Sequence, residues 1–106
     1  LVIFFNHVKV RRMLLTGGVV YTLRRQRRSG RNVAVQGSLN KYHILADVMV
    51  TEVKPINASW ELLPYLPQSG LDNVDMWLAI AKSFYPVGTQ LYLYEVKLIR
   101  RRGYGI

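Results

Sequence analysis

The residues best suited to chemistry with a partner are ten arginines and five lysines, most of them in runs. Arginine presents a planar fork of donors that matches a phosphate and can stack on a base. Arg24, Arg25, Arg27, Arg28 and Arg31 lie close together in the chain, and Arg100, Arg101 and Arg102 follow near its end, with Lys41 between. All are candidate contacts to a polyanion. The first 46 residues hold nine cations and no carboxylate, and the six acids all fall between Asp47 and Glu95. A surface laced with ion pairs for thermal tolerance needs acids beside its cations, and this half of the chain offers none. RNA or another nucleic acid is therefore the expected partner, with an acidic protein as the alternative.

Other chemistry is thinly represented. A threonine such as Thr22 becomes a nucleophile only beside a base, and none stands next to it in sequence. His7 and His43 are the residue type for acid–base work near neutral pH, but nothing at short spacing orients either one, so structural roles are expected for both. The absence of cysteine removes disulfides, thiolates and cysteine-type zinc sites, and two histidines alone do not make a metal centre. Neither metal nor cofactor is expected. Trp60, Tyr65 and Tyr104 are candidate stacking residues, whereas Trp77 and Phe84 share a helical stripe and are expected in the core. The Gly17–Gly18 pair reads as an ordinary turn.

The elements that must position these residues follow from patterning. The chain has 106 residues, half of them hydrophobic, enough for one core. Leu1–Phe5 reads as a short strand and Val8–Leu15 as a short helix ended by Gly17 and Gly18. Val19–Leu23 is a strand with Tyr21 and Thr22 on opposite faces, and Arg24–Arg31 a basic loop. Asn32–Val35 and Tyr42–Val53 form a hairpin turning through Gly37, Ser38, Leu39 and Asn40. Ala58–Leu63 is a helical turn capped by Ser59 and closed by Pro64 and Pro67. Asp72 or Asn73 caps the clearest helix, whose stripe Val74, Trp77, Leu78, Ala81 and Phe84 runs to Pro86. Gln90–Ile99 is apolar on both faces and is expected to be a central strand. Short helices that do not alternate with strands argue for a small mixed β-barrel of α+β class. The expected domain is residues 1–99, followed by a basic tail, 100–106. No apolar run approaches the length of a membrane span. The early Lys9, Arg11 and Arg12 speak against a cleavable leader, which makes the cytoplasm the expected compartment, and an opening Leu1 in place of Met allows for an upstream piece.

The segment LLTGGVVYTLR, then a basic loop, a hairpin, SGLDNVDMWLAIAKSFYP and the closing strand TQLYLYEVKLI resemble, in this order, the ASCH domain of the PUA-like superfamily. The likeness spans about residues 3–99. It implies a small PUA-like barrel with two or three flanking helices and a cleft that handles RNA or modified nucleosides. The family's strand threonine falls on Thr22 and its strand-ending arginine on Arg24. The lysine of the family's amidohydrolase branch falls on Val19, and the acidic residue ahead of the helix falls on Ser69, with Gly70 and Leu71 completing that step. The resemblance thus implies an RNA-binding module without catalysis, in which Thr22, Arg24 and Ser69 border the cleft. An amidohydrolase acting on an acylated nucleoside of the N4-acetylcytidine type, with Thr22 in its site, is the alternative.

Overall fold

The structure is a computed structural model describing residues 1–25, 27 and 29–102. Arg28 and Tyr104, both named above as candidate contacts, lie outside the described residues. Five strands form one mixed sheet in the order β1-β3-β4-β5-β2: β1 is Val2–Phe4, β2 Val19–Arg24, β3 Gly30–Ser38, β4 Lys41–Ile56 and β5 Leu91–Arg101. Only the β1–β3 pairing is parallel. Helix α1 spans Val8–Gly17, a 3₁₀ segment Ser59–Gln68 and helix α2 Val74–Ser83. The α+β class is as expected, but β1 and β2 remain edges with no backbone ladder between them, so the sheet is not a closed barrel.

β5 is central, between β4 and β2, because it can bury both faces. One face sets Tyr94 and Val96 against Val20, Val48, Val50, Ile3 and Leu14 of α1. The other sets Leu91 and Leu93 against Leu62, Leu71 and Trp77, beneath the 3₁₀ segment and α2. Gly18 ends α1 in the left-handed region at φ 81°, its N–H donating to the Leu14 carbonyl. Asn73, rather than Asp72, caps α2: its side-chain oxygen accepts the Met76 N–H at 2.7 Å, while Asp72 pairs with Lys9.

Several expectations are corrected. The hairpin strands are longer, running to Gly30 and Ser38 on one side and to Ile56 on the other, with an extra residue bulged out at Leu45 and Val53 of β4 and at Ile99 of β5. Arg24 and Arg31 belong to strands, not to the loop between them. The 3₁₀ segment continues past Pro64 and Pro67, since proline's fixed φ suits a helical turn and costs only one donor per residue. It is not Ser59 that caps it. Glu61 reaches back to accept the N–H groups of Asn57 at 2.7 Å and Ala58 at 2.9 Å. Phe84 lies just beyond the last turn of α2 and is 71 % exposed, whereas Trp77 is 3 % exposed. β5 carries on through Arg101, so Arg100 and Arg101 sit in the sheet.

Candidate nucleic-acid interface

The edge strand β2 ends at Arg24, and this side chain bridges the gap that the backbone leaves open. Its Nε donates to Thr22 Oγ1 at 3.2 Å and its Nη2 to the Phe4 carbonyl on β1 at 2.8 Å, with the guanidinium 5.1 Å from the centre of the Phe5 ring. Beside this bridge lies a cavity of about 560 Å³. Its walls are the end of β2, the β1–α1 turn at Asn6 and His7, the last turns of α2, and Ser69 with Leu71. Thr22, Arg24 and Ser69, which the resemblance assigned to one cleft, all line it; Val19 does not. Rings supply much of the remaining wall, from Phe4, Trp77, Phe84 and Tyr85. Among the described residues no carboxylate lines it, and Arg24 is the charged one that does.

The Ser69 and Thr22 hydroxyls are committed to structure. Ser69 Oγ donates to the Leu66 carbonyl at 2.8 Å and accepts the Leu71 N–H at 3.0 Å, fixing the turn that leads to Gly70. Gly70 has φ 80°, and a Cβ there would stand 2.8 Å from the Lys9 carbonyl oxygen, so only glycine lets this turn press on α1. Thr22 faces a guanidinium rather than a base. His7, set aside by sequence reasoning, lines the cavity at the head of α1, and its Nδ1 is buried without a hydrogen-bond partner. The signal available in sequence was its position between strand and helix, where Ser, Thr, Asp or Asn usually caps.

The other predicted cations divide into two groups. Near the cavity, the Arg25 guanidinium lies 5.6 Å from the centre of the lining Tyr85 ring. Lys41 sits at the β3–β4 turn, which Asn6 holds to the cavity wall by two hydrogen bonds with Gly37, of 2.8 and 2.9 Å. Arg27 crosses to Glu52 in a two-pronged pair, at 3.0 and 2.8 Å, and stacks 5.1 Å from the Tyr92 ring centre. That hydrogen bonding holds the Glu52 carboxyl below its usual range and raises Arg27.

The second group gathers on Asp47, whose side chain is 5 % exposed. Arg102 donates to Oδ1 at 2.8 Å and Arg100 to Oδ2 at 3.0 Å, while Arg31 stands 3.9 Å away. The Arg102 hydrogen bond, ahead of the Arg100 one, holds the Asp47 carboxyl below its ordinary value against the opposing effect of desolvation. Arg101 points elsewhere, its Nε donating to the Leu15 carbonyl at the end of α1 at 2.9 Å. His7 lines the cavity and Leu15 lies eight residues further along α1, about 12 Å at the helical rise. None of Arg31, Arg100, Arg101 and Arg102 lines the cavity; Arg31, Arg100 and Arg102 form a second basic centre on Asp47.

Of the stacking candidates, neither Trp60 nor Tyr65 lines the cavity. Trp60 is 69 % exposed on the 3₁₀ segment, and Tyr65 packs on Tyr21 with ring centres 4.9 Å apart. Phe84 and Tyr85 line the cavity instead. His43 is exposed on β4 opposite Gln36. Among the described residues no three His, Asp or Glu side chains gather as a cation site, and no helix is long and apolar enough to cross a membrane. Compared with known proteins, the chain matches no family model, no curated protein and no solved structure.

Proposed function

We propose that this chain is an RNA-binding module of the ASCH, PUA-like type, acting by electrostatic attraction and base stacking rather than by catalysis. The observation that carries the reading is the meeting of Thr22, Arg24 and Ser69 in one ring-walled cavity with no carboxylate among its described lining residues. A base or nucleoside lies against Phe84 and Tyr85, since every base has a face to stack on an aromatic side chain. Arg24 and Arg25 meet its polar edge or the adjoining phosphate. Arg31, Arg100 and Arg102 form a separate phosphate contact, preoriented by Asp47. The acyl-nucleoside hydrolase is the weaker reading, because the Thr22 hydroxyl faces Arg24 and Ser69 is occupied within its own turn.

Titration of a labelled oligoribonucleotide against salt tests this. Binding at low salt that falls steeply as salt rises, and that Arg24→Gln weakens, is the expected result, because phosphate contacts release condensed counterions. Absence of binding at low salt, or affinity indifferent to salt, contradicts the reading.

A further inference from the structure

Helix α1 presents Lys9, Arg12 and Thr16 on one outward face, at spacings of three and four residues. These side chains line an open groove whose opposite wall includes Leu66, Pro67 and Asp72. The groove adjoins the cavity: Leu71 borders both, and Gly70 seats the turn between them directly on Lys9 and Val10. At the far end of the helix Arg101 donates to the Leu15 carbonyl, next in the chain to Arg100 and Arg102. Lys9 and Arg12 are three residues apart, about 4.5 Å along the axis, and the Leu15 carbonyl that accepts from Arg101 belongs to a residue about 4.5 Å further on. Arg12 is exposed and pairs with no acid among the described residues, and Lys9 holds only an exposed partner, Asp72, at 3.2 Å. Such an exposed pair is weak and readily exchanged.

We propose that this groove carries the sugar–phosphate backbone of a single-stranded nucleic acid out of the cavity and along α1 to the arginines at the end of β5. The inference rests on the nucleic-acid reading above and adds the course of the strand, with Lys9 and Arg12 as its phosphate contacts. A line of cations that begins at a ring-walled cavity matches a polymer with one charge and one base per unit. An extended acidic peptide finds no sheet edge here to pair with, since the walls are a helix and a 3₁₀ segment.

The test compares oligouridylates of two to eight nucleotides, by fluorescence anisotropy, on the full chain and on the Lys9→Gln/Arg12→Gln double variant. On the unaltered chain affinity rises with length. The variant keeps the affinity for the dinucleotide, loses most of the gain with length, and has a salt slope shallower by about 1.4, from two single-strand phosphate contacts. Asp72→Asn, which removes the groove's carboxylate, tightens the longer oligomers severalfold. Equal length dependence and equal slope in chain and double variant overturn the path while leaving the cavity reading intact. Failure of every oligomer to bind the unaltered chain overturns the cavity reading itself. A polyglutamate peptide that competes with the octamer at equal charge concentration overturns the assignment of the groove to nucleic acid.

Discussion

The Arg24 guanidinium donates to the Phe4 carbonyl at 2.8 Å and thereby ties β2 to β1, the two edges of a single sheet. A hydrogen bond made by a charged group contributes about 1.5–3 kcal/mol. Arg24→Leu is expected to lower stability by that amount in urea denaturation. Arg24→Lys keeps the charge but not the planar fork that serves Thr22 and Phe4 together, and its stability is expected to fall between the two.

Trp77 and Phe84 share a helical stripe but not an environment, and substitution separates them. Trp77→Ala removes a buried ring and is expected to cost about 3–5 kcal/mol. Phe84→Ala changes stability by less than about 0.5 kcal/mol. The same change weakens oligonucleotide binding by about 1–3 kcal/mol, the range for one base stacked on one ring. Unaltered binding by the Phe84 variant removes that ring from the interface.

Gly70 and Gly88 have nearly the same backbone angle, φ 80° and 86°, yet a Cβ at Gly88 meets nothing within 4 Å. Gly88→Ala is expected to cost only the conformational penalty of about 1–2 kcal/mol. Gly70→Ala adds a collision with the backbone of Lys9 and Val10, so its melting temperature falls further. Equal losses in the two variants would show that the turn can lift from α1.

The N–H groups of Ala58 and Asn57, and then Lys54, lower the Glu61 carboxyl to about 2 from 4.5. A carboxyl with a depressed value in the folded state stabilises fully above the unfolded value, and that stabilisation is lost as pH falls from about 4.5 towards 2. Thermal unfolding of Glu61→Gln is expected to have a flatter pH dependence across this interval, and a lower midpoint at neutral pH.

Asp47 stands between Arg31, Arg100 and Arg102, so Asp47→Asn leaves three guanidinium groups facing one another without a counter-charge. Stability is expected to fall by more than it does in Arg31→Gln, whose nitrogen is the most distant of the three. Added sulfate or phosphate recovers part of the loss, which calorimetry can measure.

The central place of β5 was legible because its two faces alternate without a polar side, and the end of α1 because Gly18 supplies the left-handed residue a helix stop needs. Phe84 misled because the apolar stripe outlasts the helix by one residue, which turns a core position into a rim position. The arginine run looked like one surface, but its partners lie far along the chain. Glu52 takes Arg27 and Asp47 takes Arg31, and both pairings depend on where β4 lies in the sheet. His7 reads in sequence as a structural residue because its place in the cavity wall depends on how the β1–α1 turn packs beside β2 and α2, which no local pattern encodes. Lys9 and Arg12 read only as part of the cation excess, because the facing wall of their groove, Leu66 to Asp72, lies far along the chain.

The turn Ser69–Asp72 faces the cavity through Ser69 and the groove through Gly70 and Asp72. One thin partition thus shapes two concavities, and it cannot shift to widen one without narrowing the other.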